Sequence, residues 1–302
     1  FFAEEKCDLV ILEVGMGGDL DATNIIKNTV LAVLVPISMD HQAFLGNTLA
    51  EIAQKKAGII KPGCSVVTVG QQPETMEVIR NVCQEKGADL TETDLNSIKA
   101  LKEDFAGQIL EYREETYKIS LAGSYQTENA ALALDALEVL NHKGYPTTVE
   151  QRKKGLEETK WNGRLTIIHR NPLFIVDGAH NPAAADMLED SVRKYFKGRK
   201  MYFIMGVFRD KDYSYIIRKL CPYAEQIVTI ETPHNPRALP AQELAEAVRA
   251  CNPHVQAAEN IQDAVNKVFA MAEREDLILS FGSLSFIGEI TTLVKNREEK
   301  NL

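Results

Sequence analysis

The chain offers chemistry first at two places where an apolar run ends in a polar group. In "LEVGMGGDLDATN" (12–24) Glu13 closes such a run, and three glycines follow within a few residues. Glycines there let the backbone approach a ligand closely, and a carboxylate beside them suits a hard cation such as Mg²⁺. In "ISMDHQAFLGNT" (37–48) a second run ends and Asp40-His41 emerges. A Glu and a His at the ends of neighbouring strands make a candidate metal site that lacks a third ligand. The competing reading is plain: a strand-to-loop turn with a solvated acid, and a histidine with a structural role. An amphipathic stretch, "TLAEIAQKKAGII" (48–60), follows with Lys55 and Lys56 in apolar company.

The second half has one sharp stretch, "IVDGAHNPAA" (175–184). Asp177 ends a strand, Gly178 permits a tight turn, and His180-Asn181 precede a helix opening at Pro182. Polar groups so placed suit a ribose, a phosphate or a carboxylate; the alternative is an N-capping loop with Asn181 as the cap. "MGVFRDKDY" (205–213) reads as a strand and a solvated charged loop, and Arg237 in "TPHNPRALP" as a surface arginine.

The elements that must hold these residues alternate. Short apolar runs at 8–14, 30–38 and 64–69 read as interior strands, with helices at 48–60 and 73–87 between or after them. Residues 106–120 read as a polar hairpin or meander, 124–144 as a long helix, and 149–164 as a short helix leading into a linker. Strands are expected again at 165–170, 173–178, 201–207, 226–232 and 277–283, with helices at 182–197, 212–220, 241–250 and 261–273. Buried strands alternating with helices predict α/β sheets that bind ligands at the strands' carboxyl ends.

Composition sets the outer bounds. The 302 residues suggest two domains, and 45% hydrophobic with 25% charged residues is ordinary for a globular protein. A net charge of −9 argues against a nucleic-acid backbone binder, which needs a basic face. The five cysteines are odd in number, widely spaced and form no CxxC pair, which points to reduced thiols in the cytoplasm. No run reaches the ~20 apolar residues of a membrane span, and no signal peptide is visible. The chain opens "FFAEEKCDLVILEVG" without an initiator Met, so N-terminal residues are expected to be missing.

In order along the chain, "EVGMGGDLDATN", "DHQAFLGNTLAEIAQKKAGIIK", "YQTENAALAL", "NGR", "DGAHNP", "RDKD" and "GSLSFIGEI" resemble the Mur ligase superfamily, specifically its folylpolyglutamate synthase/dihydrofolate synthase family. The resemblance implies an α/β fold: a partial P-loop-type ATPase domain, mostly parallel sheet with flanking helices, over 1–158, then a Rossmann-like Mur ligase C-terminal domain over 159–302. It implies ATP-dependent ligation of L-glutamate to a folate or dihydropteroate carboxylate through an acyl phosphate, in a bifunctional bacterial-type enzyme. It further implies magnesium, at two sites, held by Glu13, His41 and a carbamylated Lys56, with a monovalent cation besides. Lys56 and His180 would serve catalysis, and Lys55 would be the solvated neighbour. Asn129, Arg164 and Asp177 would contact ATP, and Leu20, Asp21, Ala22 and Ser283 the substrates. Small-molecule partners, a monomeric state, a cytoplasmic location, and no nucleic-acid or membrane partner belong to the same expectation.

Three departures from the family pattern stand out: Asp19 in place of a common Arg, Asn162 in place of the Pro of "PGR", and Tyr125 in place of a common His. No G-x-x-x-x-G-K-[ST] loop occurs, so the chain reads as the C-terminal two-thirds of such an enzyme, inactive in isolation. Two other readings stay open: a Mur-type ligase acting on a peptidoglycan precursor, and a non-catalytic binding protein.

Overall fold

The structure is a computed structural model that describes residues 1–105 and 107–300, without the side chains of 43 and 298–300. Residue 106, where the predicted meander begins, lies outside the described residues. The chain divides into two compact units: 1–99, 112–114 and 128–153 form the first, and 100–111, 115–127 and 154–302 the second.

The first unit is built on a parallel sheet of β1 (Leu31–Leu34), β2 (Ser65–Val69) and β3 (Asp89–Thr93), in the order β1-β2-β3. Two helices precede β2: α1 (Gln42–Leu45) and α2 (Leu49–Ala57). Thr48 starts α2 with a reciprocal capping box. Its hydroxyl accepts the Glu51 N–H at 3.2 Å, and the Glu51 carboxylate accepts the Thr48 N–H. Between β2 and β3 lies α3 (Pro73–Lys86), opened by a proline at its first position and ended by Gly87 in the left-handed region. Ile52 and Ala53 of α2, Met76 and Ile79 of α3 and Val66 of β2 close a hydrophobic core.

The expected strand over 8–14 does not form: Asp8–Val14 is irregular, and Leu9, Val10, Ile11 and Leu12 are exposed. An apolar run becomes a strand only where a neighbour satisfies its backbone N–H and C=O groups, and among the described residues this segment pairs with no strand. Glu13 therefore stands in an extended loop rather than at a strand end. His41 is likewise displaced, since β1 stops at Leu34 and a loop of several residues intervenes.

The strands β4 (Lys99–Asp104), β5 (Gly107–Tyr112) and β6 (Glu115–Ile119) make a small sheet of their own in that order. The helices α4 (Tyr125–His142) and α5 (Val149–Glu158) follow.

The second unit carries a six-stranded sheet flanked by helices. Its strands are β7 (Thr166–Arg170), β8 (Leu173–Val176), β9 (Met201–Met205), β10 (Gln226–Thr229), β11 (Val255–Ala257) and β12 (Leu277–Phe281). Their spatial order is β11-β10-β9-β12-β8-β7, all parallel except β7 against β8. The intervening helices are α6 (Pro182–Tyr195), α7 (Tyr213–Leu220), α8 (Ala241–Arg249), α9 (Ile261–Met271) and α10 (Ile287–Lys300). Side chains alternate across the sheet as strand geometry requires. Ile175 and Phe203 face Leu188, Ile216 and Leu244 of α6, α7 and α8, while Phe174 and Ile204 face Val265 and Ile290 of α9 and α10. Because β12 enters between β8 and β9 and pairs parallel with both, the carboxyl ends of these three strands lie side by side.

Candidate functional site

In the first unit the Gly15–Ile26 loop is ordered from within by Asp21. Its carboxylate accepts the N–H groups of Gly15 and Met16, both at 3.0 Å, and of Thr23 at 2.9 Å, plus the Thr23 hydroxyl at 2.6 Å. The Thr23 hydroxyl and these backbone donors hold its pKa down at about 2, because each bond favours the charged form. Leu20, at 88% exposure, and Ala22 project from the same loop. The predicted substrate residues Leu20, Asp21 and Ala22 therefore share one loop, in which Asp21 folds the backbone and Leu20 offers apolar surface.

His41 precedes α1 in the left-handed region, at φ 51°, which is uncommon for a residue with a side chain. Asp40 supports it there, accepting the His41 N–H at 2.7 Å with the imidazole Nε2 3.8 Å from the same carboxylate. Lys56 sits half-buried in the last turn of α2. Burial lowers its pKa, opposed by the nearby Asp40 charge. Asp40 thus stands close to both predicted metal ligands on this side, a role the sequence reading did not give it.

Among the described residues no group of three or more His, Cys, Asp or Glu side chains is placed to hold a metal ion. An ammonium cannot ligate, so as the side chains stand the set is incomplete. An anionic carbamate on Lys56 would supply the missing oxygen donors, and a lysine that burial drives toward its neutral form is the kind that can accept carbon dioxide.

Lys55 remains solvent-accessible, at 43% side-chain exposure, and its ammonium pairs with Asp19 at 3.1 Å. Asn129 lies on the exposed side of α4, in the first unit.

Arg164, Asp177, His180 and Ser283 belong to the second unit, and there the structure brings them together at the carboxyl ends of β8 and β12. Asp177, 5% exposed, accepts the Leu165 N–H at 2.9 Å on one oxygen and the Ala179 N–H at 2.8 Å on the other. Its own N–H reaches the Ser280 carbonyl at 2.8 Å, tying it to β12. Burial pushes its pKa up, against those two donors and the charges of Arg164 and His180. The Arg164 side chain lies over Gly178, where an added Cβ would stand 2.5 Å from a guanidinium nitrogen. His180 is oriented by its Nδ1 against the Gly178 carbonyl at 2.9 Å. Asn181 caps α6 by accepting the Ala184 N–H at 2.8 Å, so cap and chemistry coexist in one loop. Ser283 is buried, with its hydroxyl 2.7 Å from that of Ser285.

Tyr125, a departure in the sequence, also belongs here. Burial, with the Asp177 charge second, pushes its phenol up to about 12 and keeps it protonated. The close approach of strand ends is enforced by glycine. Gly282 has φ 113°, and a Cβ on it would lie 2.2 Å from the Gly206 carbonyl oxygen.

Comparison with known proteins matches both halves. The model of the Mur ligase middle domain matches residues 1–137, and that of the Mur ligase glutamate ligase domain matches 163–284. A Bacillus subtilis protein named dihydrofolate synthase/folylpolyglutamate synthase is 33% identical over 98% of this chain, which spans 70% of that relative. A Lacticaseibacillus casei folylpolyglutamate synthase is 34% identical over 80% of the chain, which spans only 57% of its length. Among solved structures, Mycobacterium tuberculosis folylpolyglutamate synthase complexed with ADP and AMPPCP superposes with TM-score 0.86 at 30% identity, over 97% of this chain and 70% of that one. The Escherichia coli protein in complex with DHPP and ADP gives 0.83 at 28% identity, over 98% and 69%. The α/β units, the ordered motifs and these matches agree: the chain belongs to the dihydrofolate synthase/folylpolyglutamate synthase family of Mur ligases.

Proposed function

We propose that this chain is part of an ATP-dependent ligase that joins L-glutamate to the carboxylate of a folate or of dihydropteroate. The substrate carboxylate would attack the γ-phosphate of ATP, forming an acyl phosphate and releasing ADP. The amine of glutamate would then attack the acyl carbon, and phosphate would leave. The observation that carries the reading is the half-buried Lys56, whose pKa burial lowers against the nearby Asp40 charge, in a chain whose relative of 98% overlap bears the dihydrofolate synthase/folylpolyglutamate synthase name.

In this reading residues 1–158 form the ATPase part and 159–302 the glutamate ligase part. Glu13, His41 and carbamylated Lys56 would hold magnesium, with a second magnesium site and a monovalent cation completing the set. Such cations offset the repulsion between carboxylate and polyphosphate. Arg164, with forked donors suited to phosphate, would act with Asn129 and Asp177 on the nucleotide. The occupied oxygens of Asp177 support a role through the loop it ties, which carries Arg164 and His180. His180 would act at the reaction centre and Ser283 on the glutamate side. Leu20, Asp21 and Ala22 would contact the pterin-bearing acid. We take the enzyme to be a monomer working in the cytoplasm.

The full-length protein should release phosphate from ATP only when glutamate is present together with dihydropteroate or tetrahydrofolate. Release with neither acid would refute the proposal. Activity with one acid or both would decide between a single and a bifunctional enzyme.

A further inference from the structure

The loop that carries Leu20, Asp21 and Ala22 is fastened to the end of the helix that carries Lys56, and one side chain makes both ends of the fastening. The Asn24 amide nitrogen donates to the Asp19 carbonyl at 3.2 Å, within its own loop, and to the Gly58 carbonyl at 3.1 Å, just past α2. Around it the two backbones meet directly. The Asp19 N–H donates to the Lys55 carbonyl at 2.9 Å, and the Lys55 ammonium pairs with the Asp19 carboxylate at 3.1 Å. A Cβ on Gly18 would lie 2.7 Å from the Lys56 carbonyl oxygen, and one on Gly58 would lie 2.6 Å from the Asp19 Cα. Neither glycine leaves room for a side chain, so the loop and the helix end touch backbone to backbone.

An asparagine suits this position for a specific reason. Its amide nitrogen carries two protons, enough for two carbonyl acceptors that point at one spot. Aspartate of the same shape would set a carboxylate against those two oxygens, and alanine would leave both without this donor. The rest of Asn24 is engaged too: its N–H reaches the Asp21 carbonyl at 2.9 Å, and its own carbonyl accepts from Lys61 at 3.4 Å.

We propose that Asn24 is a positioning residue for the ligation, clasping the substrate loop to the carboxyl end of α2 so that Leu20-Asp21-Ala22 and Lys56 hold a fixed separation. This rests on the reading of those residues as substrate-contacting and reaction-centre groups. An acid held by the loop must present its carboxylate to a centre fixed by the helix, and a displacement of about 1 Å can cost on the order of a hundredfold in rate. The clasp takes up that freedom without touching the substrate.

The test uses the full-length protein and two readouts. N24D is expected to speed amide hydrogen exchange at Asp19–Asn24 in the substrate-free protein. It is also expected to lower kcat on the order of a hundredfold and to raise KM for the pterin-bearing acid about tenfold or more, with KM for ATP unchanged. N24S, which keeps one donor in a small side chain, should show the same signature at smaller size and carries the test if N24D does not fold. Exchange equal to wild type, or faster exchange with the two KM values unchanged or moving together, overturns the proposal. Wild-type protein inert with both acids would instead remove the functional reading and this role with it. That failure is distinguishable, because exchange is read without substrate.

Discussion

The residues of this chain divide into those that hold backbone and those that are held. Asp21 and Asp177 are both carboxylates wrapped by backbone N–H groups, yet their pKa values move in opposite directions. Asp21 is open to water, so its bonds dominate and its pKa falls to about 2; Asp177 is buried, so desolvation dominates and its pKa rises. Replacing Asp177 by asparagine should be costly despite the matching shape. One amide oxygen can serve only one of the Leu165 and Ala179 donors, and the amide N–H₂ would face the other. A loss of about 1–3 kcal/mol in urea-unfolding free energy is expected for D177N, the cost of an unsatisfied buried donor. An unchanged midpoint would mean that the two bonds do not hold the loop. The sequence made Asp177 conspicuous at a strand end, but the partners of its two oxygens depend on how residues 163–165 fold back, which no local pattern encodes.

At the scale of elements, the helices were the most legible. The stretch 73–87 was bounded by a proline and a glycine, and α3 runs Pro73–Lys86 between them. The stretch 48–60 likewise contains α2, Leu49–Ala57. Strands were legible where buried on both faces, as in β2, β9 and β12, whose residues are all buried. They were overread at their carboxyl ends: 201–207 and 277–283 stop at Met205 and Phe281, just before Gly206 and Gly282. The run at 8–14 shows the deeper limit, since hydrophobicity marks a wish for burial and pairing without naming a neighbour. The polar, half-exposed β3 and the three-residue β11 gave too weak a pattern to be seen. The glycine contact is itself testable: G282A puts a methyl group 2.2 Å from the Gly206 oxygen at a positive φ. It should lower the melting temperature by several degrees, for a cost on the order of 1–3 kcal/mol. A variant as stable as wild type would show that the ends of β9 and β12 are free to part.

At the scale of the whole molecule, charge and size narrowed the function class while the order of motifs named the family. The acidic balance of −9 coexists with local basic groups such as Lys56 and Arg164, so net charge excluded a polyanion surface without excluding a phosphate site. What the sequence could not show was the joining of its own motifs: that Asp19 and Lys55 pair, or that Asn24 spans two backbones, follows only from tertiary contact. The central claim is that the acid is activated by phosphoryl transfer before glutamate attacks, and oxygen labelling tests it most directly. A pteroate-type substrate carrying ¹⁸O in its carboxylate should transfer one labelled oxygen per turnover to the released phosphate. The carboxylate oxygen that attacks phosphorus departs with it when the acyl carbon–oxygen bond breaks. Phosphate free of label, with the amide product formed, would contradict the account.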